Sequence, residues 1–418
     1  MLRRIKREFA EGKTLLQFGA LTATGQALLP LIVAKFFSPE LFGQYSLAKM
    51  IMFFFLTLLV SSAQAPFIVF ANQEKGQSGR INKAFSVQLV FLVFSFFIFA
   101  MTILFFGRFI TAFAKISFID LLFVASGFAG LALKTFLCNL FMAMGQRIKS
   151  SVAEVVFGVF SLILIFSFYA ADRINLRTVF LIYPLSAAAL IAVFSGTIDY
   201  KMLFPFIIEG KYFRDMFDYT KWIFLGSIAV YFAGWGDNFI LRIFVTMKDI
   251  GTYNLAYQIS KGVIGLVLIL NSYFVPFVSE NIGSCEKMRG YLFGKRPRII
   301  ITGFAGIALL FVIAPVIFRI VYGDVYRESV TALRILLVAA ALSLYIIFYE
   351  VILYALKRYK FIQAVNVIHV CVNLALDLIL VPIMGFWGAA VATVCAYICR
   401  VITIEIYFRL KLAKELKL

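Results

Sequence analysis

Long apolar runs follow one another along this chain, separated by short polar stretches. Twelve of them fall near residues 14–37, 45–71, 84–106, 117–143, 151–170, 178–198, 221–245, 252–280, 299–320, 329–356, 361–383 and 385–407. A bilayer core about 30 Å thick is crossed by about 20 helical residues, so each run predicts a membrane-spanning helix. Several runs exceed that minimum, which predicts tilt, kinks or ends that project beyond the lipid. The basic start MLRRIKREFAEGK precedes an apolar stretch, Thr14 to Phe37, that is too long for a signal peptide and carries no clear cleavage site. It is expected to be an uncleaved first helix. The predicted fold class is an all-α polytopic membrane protein of twelve transmembrane helices.

The pattern also repeats. LFGQYSLAKM (Leu41 to Met50) returns as DIGTYNLAYQ (Asp249 to Gln258), with Gly43, Tyr45, Leu47 and Ala48 matching Gly251, Tyr253, Leu255 and Ala256. Further on, SSAQAPF and NSYFVPF share Ser62/Ser272, Pro66/Pro276 and Phe67/Phe277. LFMAMGQRIKSS and LYALKRYKFIQA each close a fourth helix with a small basic turn. Three matches in one order indicate a duplication. Six helices per half leave both halves in one orientation, so the repeat is expected to be parallel, about an axis along the membrane normal. The expected domains are two six-helix lobes, 1–205 and 206–418, joined by the basic loop from Asp199 to Lys221.

Composition sharpens this picture. The 418 residues are 63% hydrophobic, 17% aromatic and 15% charged, against roughly 45–50% apolar and 25% charged for a soluble domain. The net charge of +19 sits in short clusters between apolar runs, so membrane topology explains it better than nucleic acid does. Of the 40 basic residues, 26 lie at the two termini and in every second loop, whereas the opposite loops hold only Arg108, Lys115, Arg173, Arg177, Lys248 and Arg327. Basic loops stay on the cytoplasmic side, which predicts two cytoplasmic termini. The five cysteines form no CxxC pair, so no disulfide framework is expected.

Candidate chemistry is sparse. No GxxxxGK[ST] phosphate loop occurs, and the single histidine, His369, excludes an HExxH site. His369 reads as a packed residue, and no metal or cofactor is expected. No outside loop exceeds about a dozen residues, which counts against a membrane-embedded glycan polymerase or ligase and against an enzyme altogether. What remains is ionisable residues at membrane depth, where a charge costs at least roughly 2.5–3.5 kcal/mol and usually faces water or a partner. Lys49, Lys134, Arg242, Lys261 and Arg334 outnumber the deep acids Asp237 and Glu350. The depth of Glu154, Asp377 and Glu405 is not fixed by the pattern. For any single one of these residues, helix–helix contact or snorkelling is an equal alternative. As a set, the cations favour an anionic substrate, with Asp237 or Glu350 as candidates for ion coupling. Helix one offers Gln17, Thr22, Thr24 and Gln26. Pro66 and Pro276, at matched places, are candidate bending points. Tyr45 and Tyr253 are expected at the outer interface, and Gly43 and Gly251 in a tight loop.

SPELFGQYSLA, DNFILRIFVTMKDIGTYNLAYQI, YGDVYRESVTALRIL and LILVPIMGFWGAAVATV, in this order and spacing, resemble Wzx-type O-antigen flippases. These belong to the multidrug/oligosaccharidyl-lipid/polysaccharide (MOP) exporter superfamily, with multidrug (MATE) exporters and peptidoglycan-precursor flippases. The resemblance spans nearly the whole chain. It implies two lobes around a cavity lined by helices one, two, seven and eight. The implied cargo is an undecaprenyl-diphosphate-linked oligosaccharide, turned by alternating access from the inner to the outer leaflet of a bacterial inner membrane. A polysaccharide polymerase and a chain-length regulator are the implied protein partners, beside membrane lipids. An ion-coupled small-molecule exporter of the MATE type is the alternative, and a glycan polymerase or ligase a more distant one. Helix one carries few deep charges compared with peptidoglycan-precursor flippases.

Overall fold

The computed structural model describes residues 28–412. The expected first helix is helical over residues 28–36; its earlier part, with Gln17, Thr22, Thr24 and Gln26, lies outside the described residues, as do Lys414 and Lys417. The runs that follow all appear as helices, eleven of them long and apolar enough to cross a membrane. They are α1 (Pro39–Ser78), α2 (Asn82–Ala114), α3 (Phe118–Ala143), α4 (Arg147–Ala170), α5 (Leu176–Phe194), α6 (Gly210–Phe244), α7 (Met247–Asn281), α8 (Arg296–Tyr322), α9 (Ser329–Ala355), α10 (Tyr359–Met384) and α11 (Phe386–Tyr407). The chain is thus an all-α polytopic membrane protein, as the hydrophobic pattern predicts.

Helix α1 is not uniform. It widens to π geometry over Leu56–Ser61 and turns at Ser62–Ala63 before Pro66. The Ser62 hydroxyl donates back to the Leu58 carbonyl. Pro66 therefore follows a real break, while its counterpart Pro276 lies inside an unbroken α7. The same residue at matched places has two local outcomes, because the proline alone does not decide whether the preceding carbonyls find other donors.

The chain packs as two compact units. One is built on Gln44–Tyr231, the other on Pro30–Gly43 together with the chain from Phe232 onward. These units describe packing; the lobes 1–205 and 206–418 are kept as the proposed repeat. In the first unit the segment after α5 is tied down by backbone and side chains. Asn82 donates to the Pro205 carbonyl at 2.9 Å, and the Ile207 amide donates to Ser86 Oγ at 3.1 Å. Glu74, buried on α1, accepts from the Lys83 and Ala84 amides at 2.9 Å each, so its carboxylate satisfies the open N-terminus of α2.

In the second unit the repeated phrase finds its physical reason. A Cβ on Gly43 would stand 2.1 Å from the Met247 carbonyl oxygen, and one on Gly251 would stand 1.8 Å from that of Pro39. The two copies cross backbone to backbone through their glycines, and no other residue leaves room for it. Segment 30–43 is held further by Tyr322 and Tyr326, which donate to the Leu31 and Phe37 carbonyls at 3.3 and 3.0 Å. The expected loop glycines are thus packing glycines within helices.

Two turns bring the important helices together. A capping box of Thr246 and Asp249 starts α7 directly after α6. Gly385, at φ +60°, joins α10 to α11, and a Cβ on Gly388 would lie 2.4 Å from the Leu380 carbonyl oxygen. These tight hairpins set α6 beside α7 and α10 beside α11.

Candidate functional site

Asp237 of α6 is the centre of a buried polar cluster inside the second unit. Its carboxylate accepts from the Tyr253 hydroxyl of α7, from Asn373 Nδ2 of α10 at 2.6 Å and from Thr393 Oγ1 of α11 at 3.4 Å. Asn373 Nδ2 also donates to Asp377 Oδ2 at 3.1 Å, one turn along the same face of α10. Asp377 is wholly buried. Asp377 Oδ1 and Asn373 Oδ1 meet no donor among the described residues. Among the described residues no basic side chain stands within ion-pair distance of either carboxylate.

Buried charges need pairing. Two carboxylates around one amide, with two acceptor oxygens left open, have the donor set for a proton or a hard monovalent cation. Groups of three or more carboxylate, thiol or imidazole side chains placed to hold a metal are absent among the described residues.

Lys261 lies two turns along α7 from Tyr253. The Tyr253 and Tyr257 rings stack at 5.7 Å, and Tyr257 donates to the Gly234 carbonyl at 3.1 Å. Lys261 Nζ sits 5.2 Å from the Trp235 ring and 5.3 Å from that of Tyr257. Gly234 makes room, since a Cβ there would be 3.3 Å from the ammonium. Lys261 is nonetheless exposed in the middle of an apolar helix. One face of the α6–α7 pair therefore runs from a sealed carboxylate pair to an open ammonium steadied by aromatic rings.

The other expected residues are distributed differently. Lys134 forms an ion pair with Glu154 at 2.6 Å, with Nζ 5.9 Å from the Phe157 ring, inside the first unit. Lys49 is buried there, 5.8 and 5.4 Å from the Tyr45 and Phe53 rings. Arg334 donates to the Phe311 carbonyl at 3.2 Å and lies over that ring. Arg242 is half-buried in the last turn of α6, where the helix carbonyls favour a cation. Glu350 is held by Arg400 at 2.7 Å, so its charge is already compensated.

Tyr45 and Tyr253, expected at the outer interface, are fully buried instead. Each hydroxyl has a partner, Tyr183 at 3.4 Å for Tyr45 and Asp237 for Tyr253, which is what allows a phenol to leave water. Asn373 was not singled out by the sequence, Asp377 was named only as an acid of unsettled depth, and Thr393 only as part of the LILVPIMGFWGAAVATV resemblance. The available signal was the run of polar residues Asn366, His369, Asn373 and Asp377 at three- and four-residue spacing along α10.

The sequence and the fold have known relatives. Residues 18–282 match the polysaccharide biosynthesis protein family. A probable low-salt glycan biosynthesis flippase, Agl15 of Haloferax volcanii, is 28% identical over 189 residues, 44% of this chain and 39% of that protein. The match thus spans well under half the length of that curated relative. The solved structure of the lipid II flippase MurJ, in an inward closed conformation, superposes with a TM-score of 0.78 at 14% identity. It covers 96% of this chain and 87% of MurJ. An inward-facing multidrug resistance MATE family transporter of the MOP superfamily gives 0.74 at 13% identity, over 97% of this chain and 99% of the other. At such identities these two matches establish the shared fold. With more than half its length matched, the chain belongs to the polysaccharide biosynthesis protein family.

Proposed function

We propose that the chain is a flippase, a transporter rather than an enzyme, that carries a lipid-linked oligosaccharide across the membrane by alternating access. The observation that carries this reading is the open, ring-backed ammonium of Lys261, next to a carboxylate pair without a cation. An ammonium in a low-dielectric setting attracts phosphate strongly. The Asp237–Asp377 pair takes up a proton or a monovalent cation and couples its movement to that of the lipid. Family membership and the named flippase relative support the class of cargo. The finer reading is undecaprenyl diphosphate as carrier, an O-antigen or similar surface polysaccharide repeat as cargo, and a bacterial inner membrane with both termini cytoplasmic. A polysaccharide polymerase and a chain-length regulator would then act on the delivered product.

A small-molecule exporter of the MATE type is the second reading, favoured by the uncompensated carboxylates. The experiment is to deplete the protein from cells and probe intact spheroplasts with an impermeant sugar-reactive label. Unlabelled lipid-linked intermediates that accumulate on the inner side support the flippase. Normal intermediates and normal surface glycan support the exporter. Fully labelled single repeats outside would mean that translocation is intact and that polymerisation has failed.

A further inference from the structure

A second basic site lies far along the second unit from Lys261, where α7 ends and α8 begins. The connecting segment carries Lys287, Arg289 and Lys295, and the first turn of α8 carries Arg296 and Arg298. Phe293 in its midst is 72% exposed. A bare aromatic ring beside lysine and arginine, next to the apolar start of α8, marks the level of lipid headgroups.

Arg296 is held there in an unusual way. Its guanidinium lies 4.6 Å from the Tyr345 ring and 4.2 Å from the Tyr349 ring, and Nη1 donates to the Tyr349 hydroxyl at 2.7 Å. Among the described residues no carboxylate holds it. The nearby Glu405 is engaged by Arg409 at 2.8 Å and by the Tyr345 hydroxyl at 3.3 Å. Arg296 Nε and Nη2 are out of contact with solvent and have no hydrogen-bond partner.

Those two atoms form one edge of the guanidinium, the edge that meets two oxygens of a phosphate or carboxylate side by side. Donors withheld from water and from any acceptor are costly. Here they belong to a cation already fixed in plane by two rings, so little further ordering is needed to use them. Lys295, with Nζ 4.2 Å from the Phe277 ring, and exposed Arg298 add positive charge without neutralising it.

We propose that the Nε–Nη2 edge of Arg296 is the recognition edge of a phosphate site for a membrane-lipid headgroup. The side chains covering the edge move aside as the headgroup enters, and Lys295 and Arg298 supply its attraction. Two sources share this chemistry: an anionic phospholipid of the surrounding leaflet, and a polyprenyl diphosphate. The second source rests on the function proposed above.

The test uses the full chain in detergent, titrated with phosphatidylglycerol, polyprenyl diphosphate or inorganic phosphate, with bound lipid counted by native mass spectrometry. Arg296→Gln and the charge-preserving Arg296→Lys should both weaken lipid binding about tenfold or more, because a forked charged contact is lost. A drop confined to phosphatidylglycerol identifies the bulk lipid, and one confined to the diphosphate identifies the carrier; either supports the site. Unchanged binding of both lipids to Arg296→Lys overturns it, as does equal binding of inorganic phosphate with no gain from the lipid. Where Arg296→Gln fails to accumulate, Arg296→Lys decides, since it keeps both charge and stem. If the parent chain moves no glycan lipid yet binds phosphatidylglycerol through Arg296, the transport reading falls and this one stands.

Discussion

Lys261 and Asp377 show what a single side chain contributes at membrane depth. Lys261 keeps its ammonium open while Trp235 and Tyr257 steady it from the sides. Lys261→Gln should therefore lower surface glycan about tenfold or more, the loss of one charge-assisted contact to phosphate, while protein in the membrane stays constant by immunoblot. Unimpaired glycan would remove Lys261 from the site. Asp377 is different, because it is wholly buried and shares an amide with Asp237. Asp377→Asn keeps the shape and removes the exchangeable proton. Its thermal stability should change by less than about 1 kcal/mol, yet transport should lose its response to an imposed pH or sodium gradient. Arg400→Leu makes the opposite case, since it strands buried Glu350. It should destabilise by about 3–5 kcal/mol in a detergent unfolding assay, whatever its effect on transport. Depth in the sequence did not separate these roles. Glu350 and Asp237 look alike as acids in apolar runs, and only the partners brought by α10 and α11 distinguish them.

At the scale of elements, the helices were legible because the bilayer demands about 20 apolar residues for each crossing, and every run from α1 to α11 obeys that demand. Local geometry was less so. Nothing in LTLLVS announces the π segment at Leu56–Ser61, since hydropathy does not record which carbonyl an amide chooses. The repeated glycines were visible, but their use was not. Pattern alone placed them in a loop, whereas the fold sets them against each other's backbone. Gly43→Ala and Gly251→Ala should each force the crossing apart, at a cost of about 1–3 kcal/mol for overpacking. Raised reactivity of a cysteine at Glu40 or Lys248 toward an impermeant maleimide would report the parting. Unchanged reactivity and stability in both variants would mean the crossing carries no strain.

At the scale of the molecule, the proposed orientation rests on the charge pattern rather than on any contact. Basic residues gather in every second loop, and under the positive-inside rule the proposed topology puts those loops in the cytoplasm. A cysteine at Arg80 or Lys357 should then resist impermeant labels in intact cells, while one at Arg327 should react; the reverse pattern would invert the topology. The proposed class of molecule is legible too, because the expected six-helix repeats with short outer loops suit a transporter better than an enzyme. The carboxylate pair was not, since its four contributing helices are joined only in the folded chain. Reconstitution into liposomes tests the central claim most directly. Vesicles carry a labelled polyprenyl-diphosphate oligosaccharide, an impermeant reagent destroys the outer label, and the protected fraction is followed in time. The account predicts that the protein exposes most of the protected label, faster under an ion gradient, and about tenfold or more slowly with Lys261→Gln. Exposure no faster than in protein-free vesicles, with folded protein present, would contradict it.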